Sequence, residues 1–405
     1  MSPLLAARRP LVGVAILVTL LALAAVRTGV ARADGPGSGS PWVATVGDSY
    51  MSGEGGRWAG NTVLDDPADV DAGGASAYFD NATHTAETIP NCHRSSAAEA
   101  HIGHGVSSVN FACSGATTST ETVGGDFKPG LDFASTASDD GQAASLRDFA
   151  ETHNVKLVAI SIGGNDLHFA DIITQCVTDY LTSTVLLKNV CNNDTSVTAN
   201  LTSTNLAAVT AAIRGAITHI HTAMADAGYS ESQYTLLVQN YESPIPPGSG
   251  FRYSQGGLNR GLVGCEFWNA DADWANTTLL PTLNGLIASA AGGLSYTNLR
   301  TMNLSSAFNG NRLCETGAET IDESDHATWQ DAGASDDFEW IQSIHAVQVL
   351  SPFQVQESMH PNWWGEHALR NCLRQAYNNG SPVGGTCTRD GAGLTADGEP
   401  KMDLN

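Results

Sequence analysis

Apolar runs and mixed, helix-period runs alternate along this chain. Residues 41–46 (PWVATV) are apolar and stop at Gly47-Asp48-Ser49, which predicts a buried strand that opens into a turn. Residues 106–113 predict a second strand, ending at Ser114-Gly115-Ala116. The clearest strand is 155–161 (VKLVAIS), almost continuous in β-branched and apolar residues and followed by Gly163-Gly164-Asn165-Asp166. Such a run is covered on both faces, as in parallel sheets. Leu206, Val209, Ile213, Ile217, Ile220 and Met224 recur at three- and four-residue spacing, one face of an amphipathic helix that stops at Gly228. Two more strands are predicted at 235–239 and 299–304, and a last helix from about 364 to 377. The Gly-, Asp- and Asn-rich stretch after Ser49, to about Ala86, predicts loop. Strands alternating with helices imply an α/β fold with a parallel sheet and right-handed crossovers. In such sheets the loops at the carboxyl ends of strands build the site.

The amino terminus stands apart from this pattern. Arg8 and Arg9 precede an apolar run of about 16 residues (11–26), and Ala31-Arg32-Ala33 follows. The run is short of the ~20 residues a spanning helix needs, and the whole reads as a cleaved export signal over 1–33, with Asp34 first in the mature chain. The Arg8-Arg9 pair leaves a twin-arginine route open. Residues 34–405 are expected to form a single domain. Removing the four arginines of 1–33 takes the formal net charge from −23 to −27. A surface this acidic repels nucleic acid and anionic headgroups, so neither is an expected partner. No later segment is apolar enough to span a bilayer, and the oligomeric state is left open. The eight cysteines in an exported chain read as disulfides. They allow 105 pairings, of which the nearest-neighbour set is the simplest: Cys92–Cys113, Cys176–Cys191, Cys265–Cys314 and Cys372–Cys387.

Three of the strand ends carry candidate chemistry. A serine just after a buried strand, Ser49, can sit exposed at the sheet's edge, but it attacks a carbonyl only if a base takes its proton. Among twelve histidines, His360 has the most informative context, in Glu357-Ser358-Met359-His360-Pro361-Asn362 before the last helix. Glu357, three residues upstream, is expected to orient the imidazole as the third member of a triad. Gly115 and Ser49 offer backbone N–H groups, and Asn165 a side-chain amide, to a developing oxyanion. No metal or organic cofactor is required by this chemistry.

These blocks, GDSY at 47–50, CSGA at 113–116, GGND at 163–166 and HPN at 360–362, resemble the four ordered blocks of the SGNH (GDSL-type) hydrolases. The resemblance implies Ser49 as nucleophile, Gly115 and Asn165 as oxyanion donors, His360 as base, and a flavodoxin-like three-layer α/β/α fold. Cys92-His93-Arg94-Ser95 resembles the exported bacterial esterase and lipase branch, where the cysteines at 92 and 113 would be bridged. Two positions depart from the family: Glu357 stands where an aspartate is usual, which leaves open that a backbone carbonyl holds the His360 imidazole instead, and Tyr50 replaces a leucine. A long insertion is expected at about 186–340, between the Asn and His blocks, shaping the substrate cleft.

Blander roles compete for these residues. Gly47-Asp48-Ser49 could be a plain turn, Asp166 a helix cap, and Pro361 the first residue of the last helix. His101 with His104 and His219 with His221 have spacings a metal could use, but the second pair points to two sides of a helix. The spacing of Asp65, Asp66, Asp69 and Asp71 is not that of an EF-hand loop, so a solvated acidic loop competes there. Trp363 and Trp364 could line a pocket or fill core. There is no GxSxG elbow. Three functions remain: an esterase or lipase acting on acyl lipids or soluble esters, a carbohydrate esterase acting on acylated glycans, and a non-catalytic binding protein on the same fold.

Overall fold

The computed structural model describes residues 34–64, 66–137, 139–256, 259–344 and 353–405; the expected export signal at 1–33 and Asp65 lie outside them. Five parallel strands form the centre of the sheet: β1 (Pro41–Gly47), β2 (Ser107–Asn110), β3 (Asn154–Ser161), β4 (Thr235–Gln239) and β5 (Leu299–Asn303). At its far edge β6 (Gly385–Leu394) joins β5 in parallel and pairs antiparallel with β7 (Pro400–Leu404). The spatial order is β2-β1-β3-β4-β5-β6-β7. β3 is buried along nearly its whole length, as its almost continuous apolar run requires.

That order places the layers. From β1 the chain steps one way to β2, then returns past β1 to β3 and continues to β4 and β5. Right-handed connections among these five strands put the first crossover on one face of the sheet and the later ones on the other. The later crossovers carry α1 (Gln142–Ala150), α2 (Phe169–Thr182), α3 (Ser203–Asp226) and α4 (Leu280–Gly292). The final helix, α5 (Trp363–Tyr377), packs beside the first crossover: Glu366 accepts from the Glu99 N–H, and Arg370 and Arg374 donate to the carbonyls of Ala97 and Ile102. The result is an α/β/α sandwich whose direction of winding reverses between β1 and β3, and the crevice at such a reversal is where open α/β sheets bind ligands.

α3 buries Val209, Ile213, Ile217, Ile220 and Met224, the stripe read from the sequence. Thr202 caps it, and Gly228, at φ +92°, ends it in the left-handed conformation glycine adopts without cost. Strand 106–113 is shorter than expected, because Phe111 and Cys113 leave the ladder to hydrogen-bond the β1 carbonyls of Thr45 and Gly47 individually. Part of the segment 186–340, expected as an insertion, is sheet: it supplies β4 and β5 with α3 and α4. The C-terminal hairpin of β6 and β7 was not foreseen; its Gly-, Asp- and Thr-rich sequence carries little apolar alternation.

Four disulfides close the chain locally: Cys92–Cys113, Cys176–Cys191, Cys265–Cys314 and Cys372–Cys387. Among the described residues no helix is long and apolar enough to cross a membrane.

Candidate active site

β1 delivers Ser49. Gly47 passes so close to β3 that a Cβ there would stand 2.1 Å from the Ser161 carbonyl oxygen, so only glycine lets the strand end at this depth. Asp48 then caps a single helical turn, Ser49–Ser52, by accepting from the Tyr50 N–H at 3.2 Å. This is the turn role considered for Asp48, and it leaves the Ser49 hydroxyl free to face outward. Burial pushes the Asp48 carboxyl up to about 7, against the hydrogen bond it accepts from the Tyr241 hydroxyl.

His360 arrives from the other end of the chain, and its Nε2 lies 2.6 Å from the Ser49 Oγ. Nδ1 lies 3.0 Å from the Ser358 carbonyl oxygen. A carbonyl only accepts, so the proton is assigned to Nδ1 and the lone pair of Nε2 is turned toward the serine. The loop holding this ring is braced by the Tyr50 hydroxyl, which donates to the Met359 carbonyl at 2.8 Å. Met359 itself sits at φ +66°. Pro361 is not the first residue of α5: the helix begins at Trp363 and is capped by Asn362, which accepts from the N–H groups of Trp364 and Gly365.

Glu357 does not orient His360. Its carboxylate is buried and turned away, accepting from Tyr78 Oη at 2.7 Å, Trp58 Nε1 at 2.8 Å and the Gln354 N–H at 2.8 Å. Those three donors satisfy it, and the Ser358 carbonyl lies at Nδ1 in its place. Three residues upstream in sequence was within reach, but the turn points the side chain elsewhere.

Gly115 and Asn165 converge on Ser49 from β2 and β3. Gly115 holds φ +79°, and the Cys92–Cys113 bridge pins its loop. Asn165 Nδ2 donates one hydrogen to the Ala116 carbonyl at 2.8 Å, which fixes the amide and leaves its second hydrogen. Gly163 permits this turn: at φ +120° a Cβ would meet Ile213 Cδ1 of α3 at 2.6 Å, so the helix packs directly beneath the loop. Asp166 is not a helix cap. It accepts from the Thr118 N–H and hydroxyl, tying the β3 loop to the Gly115 loop. Tyr241, just past β4, accepts from the Gly164 N–H at 3.1 Å and donates to Asp48, so one phenol joins the ends of β1 and β3.

A second buried network was not foreseen. Glu54, fully buried, lies with both carboxylate oxygens 2.8 Å from His93 Nδ1. Burial alone would raise Glu54, but contact with His93 and its charge outweigh it and hold the carboxyl below its usual range. Burial likewise pulls His93 down, and the Glu54 hydrogen bond and charge more than reverse it. Glu54 also donates its N–H to the Ser49 carbonyl, and its charge is felt at His360. Only the CHRS resemblance pointed to His93.

Ser49, Gly115, Asn165 and His360 all open onto one cavity of about 460 Å³. Its long wall is α2, where an apolar stripe of Phe169, Ile173, Val177 and Leu181 at successive four-residue steps runs beside Ala170, Thr174 and Thr178. Residues 186–340 contribute only Tyr241, Glu242, Pro244, Leu280 and Leu283 to it. The cleft is therefore shaped mainly before that segment and by 355–360. Trp363 and Trp364 are not on its wall; they pack with Trp329 and His367. The histidine pairs are each engaged separately: His101 with Ser108, His104 with Asp397, His219 with the Leu131 carbonyl and His221 with Glu231. Asp66 caps a short turn and Asp71 pairs with Arg57. Among the described residues no group of three His, Cys, Asp or Glu is arranged to hold a metal ion.

No family model matches the chain, and no curated protein matches it. Among solved structures it is similar to an extracellular lipase from Streptomyces rimosus, at 18% identity over 81% of this chain and 95% of that one, with a TM-score of 0.40. A phospholipase A1 from Streptomyces albidoflavus shares 17% identity over 85% and 100% of the two chains, TM-score 0.39. A family two carbohydrate esterase from Clostridium thermocellum shares 10% over 84% and 64%, TM-score 0.34. Likeness of this degree assigns no activity to the chain; the geometry around Ser49 is what carries chemical meaning.

Proposed function

We propose that this chain is an exported serine ester hydrolase working through an acyl-enzyme, and the observation that carries the reading is the 2.6 Å contact between Ser49 Oγ and His360 Nε2 at the floor of an apolar cavity. Nε2 takes the hydroxyl proton as Oγ bonds to the ester carbonyl carbon. The carbonyl oxygen becomes an oxyanion, met by the free Asn165 hydrogen and the N–H groups of Gly115 and Ser49. As the tetrahedral intermediate collapses, the C–O bond to the alcohol breaks and His360 returns the proton to the leaving oxygen. Water, deprotonated by His360, then attacks the acyl-Ser49 ester; Ser49 leaves with that proton and the acid is released. The Ser358 carbonyl dipole holds the Nδ1 proton throughout, the job expected of Glu357. Four disulfides support the exported setting.

The apolar α2 wall favours a hydrocarbon acyl chain, as in a lipid or a soluble fatty ester, over the acetyl groups of a glycan. A fluorophosphonate probe should label the protein and fail to label Ser49→Ala, and p-nitrophenyl octanoate should be hydrolysed with a kcat/KM at least about tenfold above the acetate ester, since each buried CH₂ contributes ~0.8 kcal/mol. Labelling that survives Ser49→Ala would remove Ser49 as nucleophile. Absence of turnover on every ester would favour a binding protein, and a preference for acetylated glycans would favour the carbohydrate esterase.

A pH profile gives an independent check. Burial lowers the His360 imidazole below its usual value, and the Glu54 charge only partly opposes this. Protonated His360 cannot accept the Ser49 proton, so activity is lost as pH falls through that lowered pKa. The acid limb of kcat/KM is expected below pH ~6.5, the ordinary imidazole value. A limb above pH 7 would contradict a desolvated base.

A further inference from the structure

The α2 stripe does not end inside the protein. Leu181, the last of its four residues on the cavity wall, is 46% exposed, and the chain beyond it presents Val185, Leu186 and Leu187 at 49%, 89% and 80% exposure. Val355, also on the cavity lining, is 69% exposed. Single exposed apolar residues need no explanation, but a run of them does. These lie together: Leu181 Cδ2 is 3.7 Å from the place a Cβ on Gly261 would take, beside exposed Leu262, and Val185 Cγ2 is 3.8 Å from the same point on Gly256.

The loop is also held out. Thr184 and Leu187 exchange backbone hydrogen bonds of 3.4 and 3.0 Å, which puts Val185 and Leu186 at the tip of a tight turn. Its base is tied by the Cys176–Cys191 bridge and by Asn189 Nδ2 donating to Asp179 at 2.7 Å. One flank is fixed where Trp268 Nε1 donates to Ser183 Oγ and the Lys188 ammonium rests 5.2 Å over the Trp268 ring. A loop braced at three points cannot fold its leucines inward to escape water. The charge pattern is equally local. In a chain of net charge −23, the stretch 180–193 contains no acidic residue and one lysine.

We propose that this rim, centred on Leu186 and Leu187, seats the protein on an uncharged or zwitterionic lipid–water surface, so that the cavity opens directly onto the acyl chains. The inference rests on reading the site as an acyl-ester hydrolase. Leu181 supports it, because it belongs both to the cavity wall and to the exposed apolar run that continues through Val185, Leu186 and Leu187. The acidity of the rest of the molecule sets the kind of surface, since anionic headgroups would repel it.

The test separates docking from chemistry. Ser49→Ala protein, which cannot consume the lipid, is centrifuged with phosphatidylcholine vesicles, alone and combined with Leu186→Ser and Leu187→Ser. The two serines should weaken partitioning by at least about tenfold, because each leucine forfeits its apolar transfer. In the active protein, neither of them lining the cavity, the same pair should leave kcat/KM on soluble p-nitrophenyl acetate within about twofold. Equal partitioning of both forms, or no vesicle binding by either, would overturn the proposal. So would binding confined to phosphatidylglycerol vesicles and abolished by salt. If sedimentation shows a dimer that the two serines dissolve, the patch belongs to a second copy and the proposal fails. Failure of wild type to hydrolyse any ester would defeat the hydrolase reading instead, and leaves the vesicle measurement on Ser49→Ala readable.

Discussion

Replacing His360 by alanine is expected to lower kcat on a p-nitrophenyl ester by about four to six orders of magnitude, and adding Ser49→Ala to it should cost almost nothing more. The reason is that the two act as one unit. Without Nε2 at 2.6 Å the serine hydroxyl keeps its proton, and without the hydroxyl the imidazole has nothing to activate. What remains in either variant is the oxyanion site and binding, which is why the losses do not multiply. Asn165→Ala should fall between, at about 10² to 10³, by removing one donor while leaving the nucleophile intact. The pair is tested by measuring all three single and double combinations under identical substrate saturation. A His360→Ala enzyme that retains more than a tenth of its turnover would mean that another group is the base.

The dyad has no carboxylate on Nδ1, and the consequence can be reasoned from the acceptor's chemistry. An amide carbonyl offers no proton and cannot be protonated near neutrality, so Ser358 enforces one tautomer at every working pH. It carries only a dipole, so it stabilises the imidazolium less than a charge would. The full negative charge nearest in effect belongs to Glu54, buried beside the Ser49 turn and paired with His93.

Glu54→Gln is therefore the second large effect. Truncating one member of a buried ion pair leaves the other without compensation, which costs about 3–5 kcal/mol. The pH dependence follows from the directions of the two shifts. Glu54 is held below its ordinary value, so its contribution is complete above pH ~4.5 and fades as pH falls through the lowered pKa. His93 is raised, so its contribution is complete below pH ~6.5 and fades as pH rises through the raised pKa. Wild type minus Glu54→Gln, measured by denaturant unfolding with disulfides intact, should be largest between pH 4.5 and 6.5 and shrink toward pH 9. The same variant should move the acid limb of kcat/KM to lower pH, because the Glu54 charge favours protonated His360. A structural loss alone would leave that limb in place. A difference in stability that does not vary with pH would show the pair to be uncharged.

Tyr50 stands where a leucine was the family's expectation, and the structure gives the substitution a use. Its hydroxyl reaches the Met359 carbonyl, 309 positions away, and its ring lies 5.0 Å from the His360 ring. A leucine could fill that volume but not hold the loop.

The local pattern determined a good deal by itself. Mostly apolar, β-branched runs at 41–46 and 155–161 favour covered strands, and their abrupt ends mark where loops emerge at the edge of a parallel sheet. The stripe from Leu206 to Met224 determined its helix for the same reason: burial of one face is decided by neighbours three and four positions away. The four blocks, in order, pointed to Ser49, Gly115, Asn165 and His360, which sit where strands stop or the last helix begins and which the structure brings onto one cavity. Tertiary structure decided what depends on side-chain direction after a turn and on partners far along the chain. Glu357 was close to His360 in sequence, yet one turn of backbone aimed it at Trp58 and Tyr78. Tyr241 joins Asp48 across 193 positions, and Glu54 finds His93 only because the first crossover folds back on itself. The cavity, too, takes more of its wall from α2 than from the long segment after it. A helix wall forms where one apolar stripe finds no partner, and periodicity alone does not reveal which stripe that will be.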